Sequence, residues 1–441
     1  MKLVYDIGDK PPIKQNLIYA LQQLLAIMAA TLLVPVLVDG TGTYMSQPAA
    51  LCGAGFGTLF YLFMTQKKSP VFLGSSFAFI GPLCGAVAFG YLGIFLGAVF
   101  AGLVYVVIAV VVKFAGVKWI DKLMPPVVIG PTVALIGLSL AGAAINDVFS
   151  YGAKVDFGTS SYFVMNSTTW ASFACAIVTL LVVIVVSTYG KKMFKLIPFI
   201  IGILAGYVVA VIFTLCGIPV IDFSLFQNMH IFAVPDFSFL EAIKGVKDIN
   251  GGYIATIVVA YVPVAFVVFA EHLADHKNLS SIVGEDLLKN PGLHRTLLGD
   301  GVGSMAGAFF GGCPNTTYGE SVGCVAITRN ASVITITVAA LMCVIISFFG
   351  PFVAFLDSIP GCVMGGVCIT LYGFIAVSGL KMIQKVNLNQ NKNLFVVASI
   401  LIPGIGGMAM GIGHVYVSNI ACALILGIIV NLLLSRSKEE E

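Results

Sequence analysis

Charge is scarce in this chain. Asp, Glu, Lys and Arg make up 10% of its 441 residues and hydrophobic residues 59%, whereas an ordinary soluble domain carries roughly 25% charged residues. So few charges cannot clothe a water-facing surface, which excludes a soluble globular domain and leaves lipid as the medium most of the surface meets. The charges nearly cancel at +3, and the basic residues are scattered through short connections, so no patch for nucleic acid forms. The ten cysteines make no CxxC pair and no His stands at metal-ligand spacing. No metal centre, disulfide framework or cofactor is therefore expected. An enzyme is not expected either, because neither a serine elbow nor a nucleophile–base constellation is present. Polar and charged residues persist through Gln15, and no small-residue cleavage site follows the first apolar run, so a removable signal peptide is not expected.

What the chain does have is apolar runs long enough for a hydrocarbon core about 30 Å thick. They place spans at 15–38, 49–65, 71–84, 90–113, 125–148, 168–188, 195–216, 251–275, 297–314, 318–330, 331–350, 353–376, 393–412 and 415–434, fourteen in all. The fold class expected is an all-α polytopic membrane protein. The third and tenth spans are short and rich in Gly, Ser and Thr, so both are expected to contain extended segments rather than complete helices. Lys and Arg are retained on the cytoplasmic side of short loops. With both termini cytoplasmic, all 23 Lys and Arg except Lys154, Lys244 and Lys247 fall on that side. The cytoplasmic (inner) membrane is the expected location, and the stretches 149–167, 217–250 and 276–296 are expected to be ordered surface segments.

A faint repeat divides the chain. Ser75-Ser76-Phe77-Ala78-Phe79 echoes Thr316-Thr317-Tyr318-Gly319-Glu320, an offset of 316 minus 75, or 241, and the same offset carries Ala30 in the first span onto Glu271 in the eighth. Met124-Pro125-Pro126 likewise resembles Ile359-Pro360-Gly361. Seven spans followed by seven must be inverted relative to each other, and inverted repeats with paired broken helices point to a transporter site near the midplane.

An unpaired ionised carboxylate in hydrocarbon costs about 2.5 to 3.5 kcal/mol, so an intramembrane acid marks function by default. Glu271 follows the uninterrupted run Tyr261–Ala270, and Glu320 lies in the broken tenth span. Non-helical backbone at membrane depth survives only where protein buries it or it lines a cavity, so the two broken segments are expected to face each other across a site. Carboxylates, half-helix amides and the rings of Phe77 and Tyr318 together suit a flat, neutral heterocycle with adjacent N–H and C=O groups.

At these residues the chain resembles the nucleobase–ascorbate transporter family, and within it the bacterial uracil permeases. The resemblance spans nearly the whole sequence. It rests on Leu32-Leu33-Val34-Pro35-Val36-Leu37, Gly74-Ser75-Ser76-Phe77-Ala78-Phe79, Ala270-Glu271-His272, Pro291-Gly292-Leu293-His294-Arg295 and Pro314-Asn315-Thr316-Thr317-Tyr318-Gly319-Glu320, with Gly323 and Ala326-Ile327-Thr328-Arg329 after it. The resemblance implies a 7+7 inverted repeat. Its core domain would comprise residues 1–114 and 251–350, its gate domain residues 115–250 and 351–441, and the protein would be a homodimer in lipid. It implies uracil as the solute, held by Glu271 and Glu320 with backbone help at Phe77 and Gly319, while Ala30, His276, Tyr318 and Tyr372 complete the pocket or its proton-linked network. Ser321 departs from the family pattern, which has Asn there, and this keeps a xanthine or other purine permease as an alternative.

Protons are the expected coupling ion, since burial can raise a carboxylate's pKa into the physiological range and no acidic cluster suggests a metal ion. Glu271 and His276 are the coupling candidates. His272, Asp275 and Asp300 are weaker candidates, and Asp275 could equally cap or pair structurally. A channel would spread its polar groups in rings along a pore. A more remote alternative, an anion carrier of similar architecture, would want cations, not carboxylates, at the half-helix ends.

Overall fold

The computed structural model describes residues 3–39, 43–87, 89–116, 119, 125–157, 160–191, 194–227, 229–242, 249–412 and 415–435. Met124 of the Met-Pro-Pro string lies outside the described residues, as do Lys2, Lys118, Lys122, Lys192, Lys244, Lys247, Arg436 and Lys438 of the charge pattern.

In chain order the elements begin with α1 (Ile13–Val38), α2 (Gln47–Met64), β1 (Leu73–Ser75), α3 (Ile80–Val87) and α4 (Gly90–Ala115). Next come α5 (Pro126–Ser139), α6 (Ala141–Val148), β2 (Lys154–Phe157), β3 (Ser160–Phe163), α7 (Ser167–Tyr189), α8 (Pro198–Leu215) and α9 (Ser238–Ala242). The second half holds α10 (Gly251–Val283), α11 (Leu293–Phe309), β4 (Asn315–Thr317), α12 (Gly319–Thr328), α13 (Val333–Ser347), α14 (Gly350–Asp357) and α15 (Gly361–Ile383). The chain closes with α16 (Asn391–Ile405), β5 (Met410–Ile412), β6 (Val415–Val417) and α17 (Asn419–Leu434).

Among the described residues seven helices are long and apolar enough to cross a membrane, and four more apolar helices are shorter. On α7 and α8, Leu181, Val185, Val208 and Ile212 are each more than half exposed, as helices facing lipid are. Side-chain caps begin several helices: the Asn166, Asn250 and Ser418 side chains accept from the amides of Thr169, Tyr253 and Ala421, each satisfying an orphan donor of the first turn.

The structure moves some expected boundaries. The twelfth span, expected at 353–376, is the helix Gly361–Ile383 preceded by the short helix Gly350–Asp357; Pro360, which lacks an amide hydrogen, separates the two. The thirteenth ends at Ile405 rather than 412, where Gly406 and Gly407, the latter at φ +73°, stop the helix, and β5 and β6 form a hairpin beyond it. The eighth continues past 275 to Val283, where Gly284 at φ +80° caps it in the left-handed conformation.

The chain divides into two compact units. The first comprises Met1–Ser139, Pro235–Ile345 and Ile375–Glu441. Its centre is α11, which packs between α2 and α4. The sequence of α11 explains how. A Cβ at Gly53 would lie 2.4 Å from the Gly307 carbonyl oxygen, one at Gly57 2.7 Å from that of Gly303, and one at Gly102 2.7 Å from that of Gly301. Only hydrogen fits, so glycine on both faces sets the approach of three helices. The N-terminal segment is tied to the α12–α13 connection, with the Val4 amide donating to the Arg329 carbonyl at 2.8 Å and the Ala331 amide to that of Tyr5 at 2.9 Å.

The second unit comprises Leu140–Val234 and Ile346–Phe374, so the division falls inside α15. Within it α7 packs on α8, and β2 and β3 form an antiparallel hairpin. Gly366 of α15 lies against the Ala176 carbonyl, where a Cβ would sit at 2.4 Å. The hydroxyls of Tyr207 and Ser358 are 2.8 Å apart.

Candidate solute site

The site is built in the first unit from the two broken segments. β1 and β4 pair antiparallel, with Leu73 opposite Thr317, Gly74 opposite Thr316 and Ser75 opposite Asn315. The ladder is continued by the Ser76 amide donating to the Pro314 carbonyl at 3.0 Å and the Tyr318 amide to the Phe72 carbonyl at 3.2 Å. Beyond β1 the chain makes one 3-10 turn, Phe77–Phe79, and enters α3; beyond β4 it enters α12 at Gly319. Each strand thus delivers the chain to the N-terminal end of a helix, where free amides and the positive end of the dipole collect.

Tyr318 locks the two segments together. Its hydroxyl donates to the Ser75 carbonyl at 2.6 Å and lies 3.5 Å from the Thr31 hydroxyl on α1, next to buried Ala30. The ring packs against Gly74, where a Cβ would sit 2.5 Å from two of its carbons. Glycine is required there by close approach, not by backbone conformation.

Most of the surroundings are closed to solvent: Ser75, Ser76, Ala270, His272, Tyr318 and Ser321 are buried. Four of the expected groups keep access. Phe77 and Glu320 are half-buried, and Glu271 and Gly319 are exposed. Glu320 occupies the first turn of α12, and Glu271 and Glu320 are close enough to interact electrostatically. Two accessible carboxylate acceptors are thereby brought together at the start of a helix, beside the paired strands.

His276 stands elsewhere on α10. At 100° per residue it lies about 140° around the helix from Glu271. It is 1% exposed, and both ring nitrogens are engaged: Nδ1 lies 2.9 Å from the His272 carbonyl, and Nε2 lies 2.8 Å from the Tyr61 hydroxyl and 3.2 Å from that of Ser69. Its ring stacks on His272, with centroids 4.1 Å apart. Tyr372 is buried on α15, in the second unit.

Two features give the weaker candidates their partners. Asp275, four residues after Glu271 and so about 40° around the same face, accepts from the Thr317 hydroxyl at 2.9 Å. Its other oxygen is 3.7 Å from where a Gly319 Cβ would be. The i, i+4 spacing was the available signal. The second is a buried cluster behind the strands: Asp300 Oδ2 lies 2.9 Å from His272 Nδ1 and accepts from the Thr316 hydroxyl at 3.2 Å, while His272 Nε2 lies 3.0 Å from the Thr296 hydroxyl. These partners come from three elements, and no sequence spacing announces them. Among the described residues no group of three His, Cys, Asp or Glu side chains is arranged to hold a metal ion.

Fold and site together define a multi-pass helical membrane protein built around two paired broken segments. Similar architecture occurs in the transmembrane domain of a cyanobacterial bicarbonate transporter (TM-score 0.63, 14% identity, covering 97% of this chain and 100% of that one). It also occurs in a murine solute carrier 26 anion transporter in its inward-facing state (TM-score 0.67, 12% identity, 97% and 69%). At such identities the likeness is one of fold. The chain belongs to the permease family, whose profile matches residues 14–412. It is 39% identical over 437 residues to the uracil permease of Bacillus caldolyticus (98% of this chain, 95% of that one). To the uracil permeases of Bacillus subtilis (100% and 97%) and Escherichia coli K12 (97% and 93%) it is 39% and 35% identical. Membership makes it a transport protein rather than an enzyme.

Proposed function

We propose that this chain imports uracil across the cytoplasmic membrane by proton symport. The observation that carries the reading is that Glu271 and Glu320 meet beside the start of α12, where they, Phe77 and Gly319 keep access next to buried Ser75, Tyr318 and Ser321; three full-length relatives named uracil permeases supply the base. A carboxylate accepts a ring N–H while an amide at Gly319 or Phe77 donates to a ring carbonyl, a readout that rejects analogues lacking either group. Tyr318 and Ala30 wall the pocket. Glu271 is the coupling group of this reading. His276, whose nitrogens are spent on Tyr61, Ser69 and backbone, braces α10 behind it.

The accompanying architecture is fourteen spans in a 7+7 inverted repeat with both termini cytoplasmic, the core domain (1–114, 251–350) moving against the gate domain (115–250, 351–441) of a lipid-embedded homodimer. The purine alternative rests on Ser321, and the carboxylates disfavour the anion alternative.

The test is uptake of radiolabelled uracil by cells lacking their own carrier under an imposed pH gradient, with Glu320→Gln beside the parent chain and unlabelled xanthine as competitor. Gradient-dependent uptake that the variant loses and xanthine leaves untouched is expected. Full block by xanthine would transfer the assignment to purines.

A further inference from the structure

Positive charge gathers where three helices of the first unit end. Gly307 of α11 packs on Gly53, Gly303 on Gly57 and Gly299 on Tyr61, so α11 runs antiparallel to α2. One turn further along that row, Arg295 falls at the end of α2, next to exposed Lys67 and Lys68. There the Lys68 ammonium donates to the Asn290 side-chain oxygen at 3.0 Å. The other row of α11 meets α4, with Gly301 on Gly102 and Tyr105. His294 lies seven residues before Gly301 and Lys113 eleven after Gly102, two and three turns to within about 20°. Both therefore stand at this same end, where the charges of Arg295 and Lys113 act on His294. Lys289 is held by Asp286 at 3.2 Å. Among the described residues, however, no carboxylate lies within ion-pair distance of Lys67, Lys68, Lys113 or Arg295. Four like charges gathered without a counter-ion repel one another and attract an anion. Their surroundings select one with an apolar tail. Leu103, Val107, Val110 and Phe114 follow at spacings of four, three and four, a single stripe of α4. All four are exposed, Phe114 beside Lys113 at 81%, and Phe63 at the end of α2 is 73% exposed.

We propose that this end of the α2, α4 and α11 packet is a headgroup site for an anionic phospholipid. Lys113 and Arg295 meet the phosphate, Lys67 and Lys68 add charge at the rim, and an acyl chain lies along the exposed stripe of α4. Basic groups between helix ends at a membrane surface recognise anionic headgroups in this way. The site also gives a task to the string Pro291–Arg295, which the solute site does not use. It requires only that the chain is embedded in lipid, and it stands whichever base is carried.

The purified, delipidated full chain in neutral detergent is titrated with phosphatidylglycerol and with phosphatidylcholine, binding being read as adducts in native mass spectrometry and as the thermal midpoint. Phosphatidylglycerol is expected to bind about tenfold more tightly or better and to raise the midpoint. The double variant Lys113→Gln/Arg295→Gln is expected to weaken phosphatidylglycerol about thirtyfold, the worth of two basic residues at an anionic surface. Lys381→Gln/Lys385→Gln, which removes the same charge from the end of α15, is expected to leave its affinity within about twofold. Equal affinity for the two lipids would overturn the proposal, as would equal losses in the two double variants. A midpoint shift by glycerol 3-phosphate that matches the shift by phosphatidylglycerol would also overturn it, because the site would then serve a soluble anion. If the first double variant does not reach the membrane, Lys113→Gln and Arg295→Gln decide singly: about fivefold weaker binding in each is expected, and unchanged binding in both would refute the site.

Discussion

Replacing Gly74 by Ala tests whether the β1–Tyr318 contact sets the site. The added methyl would lie 2.5 Å from two ring carbons of Tyr318 and 2.8 Å from the Thr31 hydroxyl oxygen, where carbon contacts settle at about 3.5–4.0 Å. Something must therefore move by about 1 Å. The ring cannot swing freely, because its hydroxyl is held by the Ser75 carbonyl at 2.6 Å and its own amide by the Phe72 carbonyl at 3.2 Å. Overpacking of this kind costs about 1–3 kcal/mol, and a stretched or lost Tyr318–Ser75 bond adds about 1 kcal/mol, so the variant should be about 2–4 kcal/mol less stable. Tyr318 leads directly into Gly319 and Glu320, so the displacement reaches the carboxylate. A misplacement of about 1 Å in a positioned group costs on the order of 100-fold in function. The assay pairs the thermal midpoint of purified protein with solute uptake, and Gly323→Ala is the control, since a Cβ at Gly323 meets nothing within 4 Å. If Gly74→Ala matched Gly323→Ala in both midpoint and uptake, the claim that this contact positions Glu320 would be wrong.

Three further substitutions probe the groups behind the strands. Asp300→Ala leaves His272 Nδ1 and the Thr316 hydroxyl without their buried partner; a loss of about 2–5 kcal/mol is expected in denaturation. His276→Ala removes a ring that Tyr61, Ser69 and His272 all touch and should cost about 2–3 kcal/mol. The ratio of uptake with and without a pH gradient should stay as in the parent, and collapse of that ratio would return His276 to the coupling role. Ser321→Ala orphans the buried Phe72 amide, which donates to the Ser321 hydroxyl at 3.0 Å, and should lower stability by about 1–3 kcal/mol, read as the thermal midpoint.

The broken segments are legible in the sequence because hydroxyls and glycine argue against helix in both, and their pairing follows from the cost of unpaired backbone at membrane depth. Glu271 and Glu320 are legible for a similar reason, since charge amid apolar residues needs a cause. Asp275 is legible only as a weaker candidate that could equally cap or pair, and His276, favoured by its residue type, lies on another face of α10. The start of α15 is set by Pro360 against a background of uniform hydropathy, so a hydropathy window places it early. The bond from Asp300 to His272 spans 28 residues and that from Ser321 to Phe72 spans 249. Only the packing of whole helices brings such groups together.

A two-stranded ladder inside a membrane has two outer edges, and each unpaired group there costs several kcal/mol. Here side-chain hydroxyls close them. The Leu73 amide donates to the Thr58 hydroxyl at 3.0 Å, the Phe72 amide to that of Ser321, and the Ser304 hydroxyl to the Asn315 carbonyl. The Asn315 side-chain amide in turn reaches the Gly53 carbonyl at 3.1 Å. The hydroxyls of the neighbouring Thr58, Ser304 and Ser321 are therefore consumed in completing the backbone's hydrogen bonds, whereas Thr316 and Thr317 of the segment itself donate to Asp300 and Asp275. This bears on the one departure from the family pattern: a fully buried Ser321 whose hydroxyl serves Phe72 is a finishing group of the β1 edge and not a hand extended to the solute. In the proposed reading, base preference then rests with Glu271, Glu320 and the amides at Phe77 and Gly319. A change at Ser321 should accordingly alter stability and uptake of all bases together, leaving the ratio of uracil to xanthine uptake where it was.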